Sequence, residues 1–281
     1  MLRFHGVNDG DMGRREWLRL ALGATGSFVA LASVPWLAIG SAEQTIAARI
    51  DNAPSTHPLI PALKIAAESL IEVEKVRDYT STLIKNELVG RKTIETKIQL
   101  KFREAPKGVY LKFIEPNAGR EVIYQPTVSG GNLQVHETGL AALIGTLSLE
   151  PTGATAMADN RHPVTEIGIK QMLELVVDQW LKETKLAEPK VNFYPNAKIG
   201  NLSCRVVEVT HASKETGASF HITRLYIDSE TKLPVRIQNY DFPARAKQKP
   251  EVVEDYFYTE LRTNVGLTDL DFDVRNPAYK F

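Results

Sequence analysis

Lys92-Thr93-Ile94-Glu95-Thr96-Lys97-Ile98-Gln99-Leu100-Lys101-Phe102-Arg103-Glu104 decides the fold. Ile94, Ile98, Leu100 and Phe102 share one parity, and Glu95, Lys97, Gln99, Lys101 and Arg103 take the other. Successive side chains of a strand point to opposite faces, so this segment is a strand with one oily and one wet side. Gly90-Arg91, Pro106-Lys107-Gly108, Asn117-Ala118-Gly119 and Gly130-Gly131 interrupt the pattern at hairpin spacing. They divide residues 77–136 into strands 77–88, 92–104, 109–115, 120–126 and 132–136. Val109, Leu111 and Phe113 continue the oily face, as do Val122 with Tyr124 and Leu133 with Val135. An antiparallel meander with one apolar face needs a cover, supplied by the chain itself or by a ligand. Arg120 shares parity with Val122 and Tyr124, so its guanidinium is expected on the apolar side with a carboxylate, helix-end carbonyls or a ligand head group as partner.

Upstream, Ile60, Leu63, Ala67 and Leu70 recur at helical spacing, with Lys64, Glu68, Glu72 and Lys75 on the other face. This amphipathic helix, residues 60–76, is a natural cover for the sheet. Downstream of His136 the alternation stops. Residues 138–160 are apolar at Leu140, Leu143, Ile144 and Leu147, then rich in Gly, Thr and Pro. Each of those four side chains gains roughly 1.5–3 kcal/mol from full burial, so burial on the open edge or the concave face of the sheet is expected. Asn160-Arg161-His162-Pro163 precedes a second helix, 164–182, with His162 as its expected cap and Pro163 in its first turn. Ile169, Leu173, Val176 and Trp180 form its main stripe, widened by Met172, Leu175 and Val177. A stripe that wide predicts burial on more than one side. Arg161 and His162 are candidate functional residues, set against a plain capping and ion-pairing role.

Alternation resumes at Val191 and predicts strands 201–211, 218–228, 233–241, 251–263 and 269–274. The 34 basic and 34 acidic residues cancel, and no basic stripe with interleaved aromatics appears, which argues against nucleic-acid binding. Cys204, the only cysteine, shares parity with Leu202 and Val206 and is expected to be a buried packing thiol. Asp269, Asp271 and Asp273 mimic the start of a calcium loop, but Val274 and Lys280 stand where such a loop needs Gly and Glu. The six histidines show no metal-ligand spacing, and no phosphate loop, nucleophile elbow or zinc-protease signature is present. The sequence therefore predicts no enzyme chemistry, no catalytic residue, no metal and no cofactor.

Gly13-Arg14-Arg15-Glu16-Trp17-Leu18-Arg19 opens the uncharged stretch Leu20 to Ala42, and Gly40-Ser41-Ala42 places small residues before a cleavage site. Residues 1–42 resemble a twin-arginine export signal, which implies a periplasmic or otherwise extracytoplasmic mature chain. An uncleaved anchor is the alternative. No cysteine lies near the cleavage site, so the chain is not expected to be lipid-modified.

Lys107 to Phe113, Gly119 to Tyr124, Tyr226 to Arg236 and Tyr256-x-Tyr258-x-x-Leu261-x-x-Asn264-x-Gly266-Leu267 resemble strands of the LolA-type lipoprotein carriers and their RseB-like relatives. Asn160-Arg161-His162-Pro163 and the ending Asn276-Pro277-Ala278-Tyr279-Lys280-Phe281 resemble an exported bacterial family known as domain of unknown function 1571. The resemblance implies an α+β fold: a strongly curved antiparallel sheet, an incomplete barrel, covered by helices. It implies one such domain over residues 43–281, with a lid or helical insertion at 137–185. It further implies a monomeric carrier or scavenger of a hydrophobic, acyl-chain or lipoprotein ligand. The alternative is an envelope protein-interaction or sensor module with a protein partner and no lipid. On the carrier reading the candidate ligand contacts are Ile98, Leu100, Phe102, Leu111, Phe113, Arg120, Tyr124, Leu143 and Trp180.

Overall fold

The computed structural model describes residues 46–281 apart from Ala246, so the export-signal reading of residues 1–42 lies outside the described residues. Helices α1 (Ile46–Asp51) and α2 (Ile60–Val73) lead into strands β1 (Asp78–Val89), β2 (Lys92–Arg103), β3 (Gly108–Glu115), β4 (Glu121–Tyr124), β5 (Leu133–His136) and β6 (Thr146–Leu149). The short helix α3 (Ala154–Met157) and the long helix α4 (Ile169–Glu183) follow. Strands β7 (Lys190–Ile199), β8 (Leu202–Thr210), β9 (Ile222–Asp228), β10 (Pro234–Tyr240) and β11 (Val252–Thr263) complete the sheet.

All eleven strands belong to one antiparallel sheet in the order β6-β5-β4-β3-β2-β1-β11-β10-β9-β8-β7. Two meanders are thus joined where the first strand pairs with the last. The β1–β2 hairpin closes over two residues, Val89 opposite Lys92, and Gly90 at φ +63° supplies the left-handed conformation that turn needs. β6 and β7 are the free edges, so the barrel is not closed.

The inner face gathers Tyr79, Leu83, Ile98, Leu100, Leu111, Val122, Val135, Val207, Leu225 and Tyr258 into one core with Leu63, Leu70, Leu173 and Trp180 of the two long helices. The expected α+β half-barrel covered by helices is what the chain forms. α2 is also fastened to the β9–β10 turn, where the Ser69 hydroxyl donates to the Lys232 carbonyl at 2.6 Å.

α4 begins later than its sequence suggests. Val164–Glu166 is a single 3-10 turn, and Gly168, at φ +134°, separates it from the α-helix. A side chain at 168 would meet the Phe102 ring at 3.0 Å, which is why glycine stands there. No side chain caps the helix. Its first N–H groups instead reach tyrosine hydroxyls of the sheet: Gly168 N–H donates to Tyr258 at 3.3 Å and Ile169 N–H to Tyr79 at 3.1 Å. These bonds satisfy donors that every helix start leaves unpaired. His162 lies outside the helix, so the capping expectation fails.

The predicted strand 269–274 is likewise a 3-10 turn, Asp269–Phe272, held by a reciprocal capping box between Thr268 and Asp271. The period-two carboxylates that mimic a strand serve that cap and three ion pairs, among them Asp273 with Arg275 at 2.6 Å. Asp271 is 2.7 Å from Lys101 Nζ and Asp269 is 2.7 Å from Arg103. Phe272 is buried with Tyr110 and Ile123, joined by Tyr279 and Phe281 from the C-terminal tail. Tyr110 and Tyr279 stack with centroids 4.1 Å apart, and Lys280 N–H donates to buried Glu121 at 2.7 Å.

Candidate functional site

The concave face is not completely filled. A cavity of about 430 Å3 lies between the sheet, α4 and the segment that precedes it. That size falls within the roughly 300–1,000 Å3 range of small-molecule pockets. Its lining divides across the sheet. β2 to β6 contribute apolar side chains: Ile98, Leu111, Phe113, Val122, Leu133, Val135 and Leu149. α4 and its approach add Val164, Ile167, Met172, Leu175 and Val176. β1, β11 and β10 contribute Lys85, Glu87, Glu254, Tyr256 and Asn239 among a few apolar neighbours.

The polar half is a bonded network. Glu87 and Glu254 are register partners on β1 and β11, with little surface exposed on either. Two carboxylates so placed repel unless compensated. Lys85 Nζ lies 2.8 Å from Glu87, which also accepts the Tyr256 hydroxyl. Glu254 accepts Arg161 Nε at 2.8 Å and Asn239 Nδ2 at 2.8 Å, and lies 3.1 Å from His162 Nε2. His162 Nδ1 is 2.8 Å from Glu166, and Arg161 Nη1 donates to the Leu88 carbonyl at 2.9 Å. Asn160 accepts from Lys85, tying the same segment to β1.

The electrostatics follow from these contacts. Hydrogen bonding to Glu254, helped by Glu166, lifts the His162 imidazole to about 9, so it is a cation at neutral pH. Burial alone would raise Glu254, but His162, Asn239 and Arg161 hold it down to about 2. Burial and the neighbouring Glu87 push the Tyr256 phenol far up. A general acid or base works best with its pKa near the working pH. Glu254 and His162 are displaced from neutrality in opposite directions, so this pair holds charge rather than shuttling protons.

Of the residues singled out from sequence, Ile98, Leu111, Phe113, Arg120 and His162 line the cavity. Arg120 is paired to Glu137 at 2.8 Å and lies over the Phe113 ring, on the side its parity indicated. Leu100, Phe102, Tyr124 and Trp180 are buried in the core without lining the cavity. Arg161 borders it through Glu254. Leu143 does not come near: it is 86% exposed, with Leu140 at 88% and Ile144 at 69%. The expected burial of these three is overturned, because the 3-10 turn Gly139–Ile144 lies in the connection that closes the β5–β6 hairpin and leaves them in solvent. Lys85, Glu87 and Glu254 were missed. Their signal was legible, since each shares strand parity with apolar neighbours, as Lys85 and Glu87 do with Leu83. Cys204 is fully buried as expected, and burial raises its thiol to about 11.

An open antiparallel half-barrel with a ligand-sized cavity, apolar over most of its wall and polar over β1, β11 and β10, is therefore the class this chain defines. The sequence profile described as "Protein of unknown function (DUF1571)" matches residues 76–281, and the chain belongs to that family. A comparison with curated proteins gives no match. Among solved structures it is similar to lipoprotein LppX of Mycobacterium tuberculosis, at 13% identity and TM-score 0.43, over 76% of this chain and 99% of that one. LprF of Mycobacterium bovis is 14% identical with TM-score 0.42, over 77% and 97%. A LolA superfamily protein of Nitrosomonas europaea is 12% identical with TM-score 0.30, over 74% and 97%.

Proposed function

We propose that this protein is an extracytoplasmic carrier or scavenger that holds a hydrophobic chain in the cavity of its half-barrel. The observation that carries the reading is the cavity itself, about 430 Å3 with a mainly apolar wall from β2 to β6 and α4, interrupted by the Arg120–Glu137 pair. Water gains little from such a wall, and an apolar chain that replaces it gains the burial of its own surface. Leu149, Pro151, Thr155, Ala156, Asp159 and Asn160 form the part of the lining that residues 138–160 contribute. On this reading residues 43–281 act as one domain and the insertion within 137–185 is its lid.

The test is native mass spectrometry of the purified protein, followed by organic extraction. A lipid-sized adduct that is lost on extraction supports the carrier. Limited proteolysis with and without long-chain lipid then tests the lid, whose cleavage rate within 138–160 should change with lipid. A protein that emerges without adduct and refuses added lipid would sink the carrier reading.

A second reading rests on Leu140, Leu143 and Ile144, three exposed apolar side chains on one turn. Such a patch suits an envelope protein partner. Replacing all three by Ser should abolish a protein complex on that reading and leave lipid binding intact on the first.

A further inference from the structure

The charge around the cavity restricts its occupant, on the reading that the cavity holds an apolar chain. Four cationic groups line or border it, and each is committed. Lys85 Nζ is 2.8 Å from Glu87, Arg120 Nε 2.8 Å from Glu137, and Arg161 Nε 2.8 Å from Glu254. His162 is held between Glu166 at 2.8 Å and Glu254 at 3.1 Å. Facing these are the same four carboxylates and a fifth, Asp159, which is exposed and lines the cavity. Among the described residues no cation pairs with Asp159. The excess is therefore negative, and no free cation remains.

We propose that the cavity selects an amphiphile with an uncharged, hydroxyl-bearing head and rejects carboxylate and phosphate heads. An anionic head entering the cavity would have to displace Glu87, Glu137, Glu166 or Glu254 from its cation. A buried charge stripped of its partner is strongly unfavourable, so that exchange brings no gain. A hydroxyl makes no such demand. It donates to a carboxylate oxygen of Glu166 or Asp159, both of which line the cavity, without displacing either from a cation. The uneven lining fits this occupant: its head lies over β1, β11 and β10, and its tail over the mainly apolar β2 to β6, where Arg120 and Glu137 neutralise each other.

The test is competition between dodecanol and dodecanoate for a neutral fluorophore, N-phenyl-1-naphthylamine, bound to the full chain at pH 7.5, where the free acid is ionised. Dodecanol should displace the probe at roughly tenfold lower concentration than dodecanoate. Asp159→Lys supplies a free cation at the rim and should narrow that ratio. Equal or better displacement by dodecanoate from the unaltered protein overturns the inference and leaves the carrier standing. A ratio unmoved by Asp159→Lys also overturns it. If neither the probe nor dodecanol binds, the cavity is not a ligand site, and both the carrier and this inference fall.

Discussion

Glu87 and Glu254 stand opposite each other on β1 and β11 with both carboxylates on the concave side, and Arg161 touches both. Its backbone N–H lies 3.4 Å from Glu87 and its Nε lies 2.8 Å from Glu254. A single residue, in the segment before α4, thus compensates a repulsion built into the middle of the sheet. Arg161→Ala should destabilise the protein by about 1–3 kcal/mol, the cost of leaving a buried charged acceptor short of a donor. The double variant Arg161→Ala with Glu254→Gln should recover part of the loss. Urea denaturation reads both, and an Arg161→Ala variant as stable as the parent would contradict the compensating role.

His162 should give stability a pH dependence on the alkaline side. Its folded pKa of about 9 lies above the ordinary 6.5, so the folded state binds the proton more tightly. That contribution is fully present below pH 6.5 and is lost as pH rises through about 9. Glu254, held near 2, acts in the other direction: its contribution is present above the ordinary 4.5 and lost as pH falls toward 2. Thermal melts between pH 6 and 10 should show a decline that His162→Gln flattens. An imidazole that titrates at its ordinary value by NMR would refute the pairing.

The two hydroxyls that receive the start of α4 are separable from the packing of their rings. Tyr79→Phe and Tyr258→Phe each leave a buried N–H without an acceptor and should each cost about 1–3 kcal/mol. Hydrogen exchange at Ile169 and Gly168 should quicken in the matching variant. Unchanged exchange in both would mean that the helix start does not depend on the sheet.

Gly108 and Phe272 should show strong non-additivity. A side chain at 108 would lie 2.7 Å from the Phe272 ring, too close for any real contact. Gly108→Ala should therefore cost about 1–3 kcal/mol through overpacking. Combined with Phe272→Ala, the same change should cost less than it does alone. Simple addition of the two losses in a double-mutant cycle would show that the tail does not rest on β3.

The early meander was legible in the sequence because period-two alternation and turn residues agreed. Observed β1 and β2, Asp78–Val89 and Lys92–Arg103, depart from the expected bounds by a residue at most. Such agreement fails where a pattern has two causes. Asp269, Asp271 and Asp273 alternate like a strand face, yet Asp271 caps its own turn and Asp269 reaches Arg103. Hydrophobicity also misleads where burial has no partner, as at Leu140 and Leu143. Within the site, the apolar half was readable from parity. In the polar half, parity marks Lys85, Glu87 and Glu254 one by one as inward-facing but not their meeting, because Glu87 and Glu254 are distant in the chain and only the β1–β11 pairing brings them together. No local pattern encodes which strand closes a sheet.

That pairing also sets an order on how the molecule is made. Thr82 and Thr259, joined across the β1–β11 seam, are 177 residues apart. Contacts at such separation are costly to close and slow folding. While the ribosome is still adding the second meander, β1 has one neighbour and an unoccupied flank at what will become the sheet's centre. The inner apolar face of β2 to β5 is meanwhile without the helix that covers it until α4 emerges. The half-barrel is consequently a structure completed at the end of synthesis rather than along the way. Its nascent chain depends on whatever shields an open sheet edge until residue 263 arrives.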